Sequence, residues 1–414
     1  MMTMRRQLIC LVFALTSMQI FAEVNSFTDD IEKFNFALDY KILFLGGFFV
    51  ILMQAGFAVV EGGYEKNSKS LQNLCINYLS ALLGGAFFGA MSMLIGYLGW
   101  VETDKPIFSI LQGWHWNLIF FYSLMATTIT TVVGRIIPSS SSLMVFLLVG
   151  FFISGVIFPV YSSWVWGSLL FDGGWLKQIG FIDFAGSTVV HSTAAWIVLA
   201  GYFILRSEQK QQIQKRDIIF DDYKVLSMAL AGFVLWLAWS GLNVIYISAI
   251  HVDVATIVVN SVAALLGAAI SALCLSLLFY KQLSWEALIK AALGGLVAIT
   301  ASCGFVSLSA SVIIGIISGA LTLFVPTLLN RWIHAKNIRE VVVIHGLCGV
   351  WGTLAIPFTN NVVVEQMGQA TLVSQIIGVS IAFIWSFGLA YLLFKTIYMV
   401  KLKLGKYDNE NKVV

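Results

Sequence analysis

The stretch FIDFAGSTVVHSTAAW, residues 181–196, is small and apolar apart from an aspartate near its start and a histidine in its middle. The apolar run continues through IVLAGYFIL to Leu205. That is enough to cross a bilayer, which takes about 20 residues of helix. Asp183 stands at one end of the run, where a carboxylate caps free helix N–H groups and meets the positive end of the helix dipole. His191 lies deeper, about 12 Å along an α-helix and rotated by about 80°, so the two side chains do not pair directly. A histidine at that depth is either satisfied by a backbone carbonyl or part of a functional pathway.

The rest of the chain has the same character. Of its 414 residues 59% are hydrophobic and 11% charged, and the mean hydropathy is +0.89. A soluble protein of this size cannot hide that much apolar surface, so the solvent for most of the chain is lipid. The net charge of +3 gathers into no basic face or tail, which excludes a nucleic-acid-binding protein. Apolar runs of about 20 residues define eleven spans, near 38–60, 71–99, 115–135, 142–163, 184–205, 223–248, 254–280, 286–304, 307–330, 340–358 and 371–398. Glycines spaced as in Gly85…Gly89 and Gly315…Gly319 let such helices approach closely.

Residues 1–22, MMTMRRQLICLVFALTSMQIFA, read as a signal peptide, with Arg5 and Arg6 before an apolar centre and Ala22 at the cleavage point. A periplasmic segment at 23–37, a membrane domain at 38–400 and a cytoplasmic tail at 401–414 follow from it. With the mature N-terminus outside, the outer segments hold only Lys33, Lys41, Lys105 and Lys177, and all other mature lysines and arginines fall inside. The positive-inside rule therefore orients the chain N-out and C-in. The five cysteines follow no metal or disulfide spacing and read as small core residues.

Spans 1–5 and 6–10 form two halves of opposite topology, with the eleventh helix left over, as in inverted-repeat transporters. AGFAVVEGG (55–63) in span 1 echoes SGLNVIYIS (240–248) in span 6, and TVVHS (188–192) in span 5 echoes VVIHG (342–346) in span 10. The second echo places His345 opposite His191, near the midplane where such folds bind substrate. His115, His251 and His334 fall at span ends or in loops. Two neutral imidazoles there share a proton and carry hydrogen bonds along an apolar conduit. No third ligand stands at that depth, so neither zinc nor any cofactor is expected. Neither histidine has an activated nucleophile beside it, so the chain does not read as an enzyme.

Together DFAGSTVVH (183–191), AGFAVVEGG (55–63), VIHGLCGVWGT (343–353), WSGLN (239–243) and GLVAITASCG (295–304) resemble the Amt/MEP/Rh ammonium transporter family, in its order and across all eleven spans. The resemblance implies a homotrimer in the inner membrane, with one narrow pore per subunit lined by His191, His345 and Trp239. Ammonium is the implied substrate, with methylammonium as a further candidate. Trp166 matches the family's aromatic at the outer vestibule, where cation–π attraction recruits ammonium beside Asp183; from its residues alone it reads rather as a headgroup anchor. In the apolar pore a bare cation is costly, whereas ammonia and a separately passed proton cross cheaply.

The chain departs from that family in several places. Met125 and Leu242 stand where two gate phenylalanines are usual, and Tyr246 replaces a small hydroxyl residue at the outer site. RIIPSSSS (135–142) lacks the acidic-basic pair of the inner end of span 3. The tail KLKLGKYDNENKVV lacks the acidic motif that binds PII-type regulators, and its lysines read as headgroup anchors. Two functions are compatible with this: an ammonium transporter or channel, and a transport-poor ammonium sensor with Tyr246 as a plug. The absence of a soluble output domain after span 11 points to the first.

Overall fold

The computed structural model describes residues 45–57, 79, 83–84, 115–134, 136–137, 141–166, 174–213, 222–244, 254–359 and 370–410. The regular elements among these described residues are helical, without a strand. The longer ones are α1 (Leu45–Phe57), α2 (His115–Val133), α3 (Leu143–Trp166), α4 (the π turn Ser187–Ser192 continuing as Thr193–Ile213) and α5 (Asp222–Val244). Then come α6 (Val254–Tyr280), α7 (Trp285–Ile299), α8 (Leu308–Leu328), α9 (Lys336–Phe358) and α10 (Leu372–Glu410). These overlap expected spans 1 and 3–11. The second span, the signal peptide and residues 23–37 lie wholly or almost wholly outside the described residues.

Six of these helices are long and apolar enough to cross a membrane. The two that carry His191 and His345 are the most enclosed. Their apolar windows are 83% and 67% buried, against 33%, 22% and 28% for α6, α8 and α10. α4 and α9 therefore form the centre, and the outer helices turn side chains such as Ile270, Ile313 and Ile384 outward. That is the inside-to-outside arrangement of a protein solvated by lipid.

Around this centre α6, α7 and α8 pack on one another, and α10 lies along α4. Gly315 and Gly319 of α8 make the closest approach: a Cβ on either would come within 2.1 Å of the Ala264 carbonyl oxygen or 2.3 Å of that of Ala268. Small residues thus decide the α6–α8 seam, as the spacing predicts. On the polar end of α7, Lys290 pairs with Glu286 of its own helix and, at 2.6 Å, with Glu340 of α9.

Three sequence expectations need correction. Span 8 does not run helically to residue 304. α7 ends at Ile299, and the following turns offer carbonyls that accept from Phe184 N–H (to Ala301), Ala185 N–H (to Thr300) and the Asn260 amide (to Cys303 and Val306). Span 11 does not stop where its apolar run stops, because charge ends a hydropathy pattern without ending a helix, and α10 continues to Glu410. Among the cysteines Cys303 and Cys348 are core residues, but Cys274 is exposed on α6.

Candidate functional site: a buried histidine pair

The site is built from the start of α4. Residues 183–186 are not helical, and Gly186 has φ of +104°, a left-handed turn that suits glycine. The chain folds back there so that one carboxylate meets four successive amides. Asp183 Oδ1 accepts from Gly186 and Ser187 N–H at 3.0 and 2.9 Å, and Oδ2 from Thr188 and Val189 N–H at 2.7 and 2.8 Å. These are donors that a helix start leaves without partners. The negative charge also faces the positive end of the helix dipole. Because 183–186 is a turn, the straight-helix estimate of 12 Å between Asp183 and His191 does not apply.

Trp166, at the end of α3, donates its indole N–H to the main-chain oxygen of Asp183 at 2.7 Å. Its ring is half-buried against this turn rather than free at a headgroup level.

The first turn of α4 is a π turn, with His191 N–H reaching back five residues to the Gly186 oxygen at 3.1 Å. α9 has a π turn of its own, Val342–Leu347, and His345 lies in it. Such turns re-aim one side chain out of the α-helical register, and they concentrate at functional sites. The two turns touch, and the histidines meet with Nδ1 to Nδ1 at 3.2 Å, both buried. Gly349 makes the crossing possible. A Cβ there would lie 2.4 Å from both the Ser187 oxygen and Ser192 Oγ. Thr188 and Thr353 add a hydroxyl–hydroxyl bond of 2.7 Å between the same helices.

Aromatic rings enclose the pair. Trp239 of α5 stacks on His191 with centroids 4.7 Å apart and planes 16° from parallel. Its indole N–H donates to Thr300 Oγ1 at 2.7 Å, and that hydroxyl donates to Leu296 O, also at 2.7 Å. Phe57 of α1 approaches both His345, at 5.8 Å, and Trp239, at 6.0 Å. Phe57 was not among the residues that the sequence singled out, although AGFAVVEGG contains it. Met125 and Leu242 are fully buried in the same core, while Tyr246 lies outside the described residues.

A pair of neutral rings in this geometry has a definite polarity. A bond between two Nδ1 atoms needs one Nδ1–H and one Nδ1 lone pair. The rings are then opposite tautomers, and their outer Nε2 atoms are one donor and one acceptor. One end of such a pair is a donor and the other an acceptor, and a proton can be handed along it.

The comparisons with known proteins agree with the helical fold. The chain is 30% identical over 399 residues to a Synechocystis sp. protein named among the ammonium transporters, covering 90% of this chain and 72% of that one. It is 28% identical to ammonium transporter Amt2 of Archaeoglobus fulgidus over 86% of this chain and 82% of that one. Its fold is similar to the solved structure named Sensor Amt Protein, with a TM-score of 0.74 and 28% identity over 89% of this chain and 95% of that one. The model of the Ammonium Transporter Family matches residues 41–413, and this chain belongs to that family.

Proposed function

We propose that the chain recruits ammonium at an outer site formed by Trp166, Asp183 and Tyr246, and conducts ammonia past His191 and His345 while the proton passes separately along the pair. Ammonium transport is the business of the family, whose members are transporters or channels rather than enzymes, and the chain is a multi-pass membrane protein. The observation that carries the finer reading is the buried 3.2 Å contact between the two imidazoles, closed in by Trp239 and Phe57. An apolar enclosure penalises a bare cation, whereas a deprotonated guest enters cheaply. Potassium cannot shed its charge and is refused.

In this reading Met125 and Leu242 form a dry gate above the pair, and Trp239 lines the pore. Eleven spans, arranged as a 5+5 inverted repeat plus one and oriented N-out and C-in, place the outer site on the periplasmic face of the inner membrane. Residues 1–22 are the signal peptide, 23–37 a periplasmic segment, 38–400 the transport domain and 401–414 the cytoplasmic tail. The working unit is a homotrimer with one pore per subunit, and PII-type regulation is not part of the proposal.

The test is the current from full-length protein on a supported membrane after an ammonium pulse, with potassium as the matched control. A sustained ammonium current that disappears in the His191→Ala, His345→Ala double variant is expected. Equal currents from potassium and ammonium would overturn the deprotonation scheme.

The similarity to Sensor Amt Protein favours one second reading, a transport-poor ammonium sensor of the same fold, with Tyr246 as a plug. It predicts ammonium binding without uptake, and uptake restored by Tyr246→Ser.

A further inference from the structure

The first turns of α10, the helix left over from the two halves, hold the chain immediately before Asp183. Gln375 is completely buried there, and its amide makes three hydrogen bonds. Nε2 donates to the carbonyl oxygens of Ile182 at 2.8 Å and Thr353 at 2.9 Å, and Oε1 accepts from Ile182 N–H at 2.9 Å. One side chain thus takes both main-chain polar groups of residue 182. Only an amide does this, because two carbonyls need a double donor and one N–H needs an acceptor beside it.

The neighbouring residues of α10 grip the same segment. Ser374 Oγ lies 3.0 Å from the Gly180 oxygen. Gly378 leaves room for the ring of Phe181, which a Cβ would meet at 2.0 Å. Residues 180–182 are therefore held at three successive positions by one helix.

We propose that Gln375 is a positioning residue for the outer ammonium site. The proposal rests on reading Asp183 and Trp166 as that site. Two bonds carry the effect onward from Ile182. The Asp183 oxygen that receives the Trp166 indole belongs to the next residue, and the Asp183 carboxylate organises the start of α4. The third bond reaches Thr353, whose hydroxyl meets Thr188 within the capped turn. When Gln375 lets go, residue 182 leaves two polar groups buried without partners. The segment must shift to find others, and the Trp166–Asp183 contact shifts with it.

The experiment compares wild type, Gln375→Met, Gln375→Glu and Asp183→Ala as full-length protein in lipid. Maximal current and half-saturating ammonium concentration are measured, together with the change in tryptophan fluorescence on ammonium addition, which needs no transport. Gln375→Met keeps the volume and removes all three bonds. It is expected to raise the half-saturating concentration by about three- to tenfold, with the maximum changed far less. With a neutral carboxyl, Gln375→Glu keeps the acceptor and one donor hydrogen, and its shift falls between wild type and Gln375→Met. A role limited to holding the helices together would lower the maximum with the amount of folded protein and leave half-saturation alone. That result in both variants overturns the proposal. Should Gln375→Met fail to fold, Gln375→Glu decides by the same criterion. Asp183→Ala separates the two levels: wild-type half-saturation in that variant overturns the outer-site reading and this proposal with it, whereas a shift there without one at Gln375 overturns this proposal alone.

Discussion

At the scale of single residues, the carboxylate of Asp183 is heavily committed, with four main-chain N–H groups directed at two oxygens. An asparagine fits the same space but turns one oxygen into a donor, which faces two N–H groups it cannot accept. Asp183→Asn is expected to destabilise the protein by about 2–4 kcal/mol, the cost of two buried unmet amides. A lowered unfolding temperature in detergent would show it, and an unchanged one would mean that the turn reshapes freely. Asp183, His191 and His345 stood out in the sequence because polar groups interrupt apolar runs, whereas Trp166 and Trp239 were marked only by the family resemblance. Phe57 was not, since one phenylalanine among 31 carries no mark of what it touches. Gln375 stands in an apolar run as well, yet nothing in the sequence says that two of its three bonds go to a residue 193 positions earlier in the chain.

Among the elements, the two π turns matter most. Each opens where its helix crosses the other, and together they bring two side chains 154 positions apart into hydrogen-bonding distance. Gly349 sets how closely α4 and α9 cross. Gly349→Ala is expected to push them apart, at a cost of about 1–3 kcal/mol from overpacking. The ammonium current should fall with it, and a wild-type current would show that the crossing does not control the pair. The charged end of α7 gives a contrasting expectation. Lys290 pairs with two carboxylates, and all three groups are less than one-fifth exposed, whereas Lys336 is 66% exposed. Lys290→Met leaves two largely buried carboxylates close together beside the exposed Lys336, and should cost about 1–3 kcal/mol; Lys336→Ala should cost less than about 0.5 kcal/mol. Thermal unfolding of the two variants side by side checks the difference. Spans 3–11 were legible from apolar run length to within a few residues at most ends. The π turns were not, because a single extra residue in a turn leaves no trace in an apolar pattern.

For the molecule as a whole, burial and charge follow separate plans. Helices α4 and α9 are enclosed while α6, α8 and α10 face outward, so the polar residues at the centre lie behind apolar helices. The proposed orientation has a direct consequence. An alkaline phosphatase fused after Val414 should be inactive and a fluorescent protein fused there should be bright, because only the inner compartment leaves the first unoxidised and folds the second. An active phosphatase would reverse the orientation and put Trp166 and Asp183 on the inner face. Which side each segment faces was read from the lysines and arginines, since moving positive charge outward across the membrane is what insertion resists.

The sequence by itself determined that the chain is helical and lipid-solvated, which family it resembles, and which two histidines lie deep in it. Hydrophobic run length and the cost of a buried polar group act locally, so composition along the chain carries them. Tertiary structure alone decided that the imidazoles meet through Nδ1, that Trp239 and Phe57 close around them, and that Gln375 of α10 holds the approach to Asp183. Those contacts join residues far apart in the chain, and their geometry depends on how closely glycines let helices cross and on where a helix adds one residue to its turn.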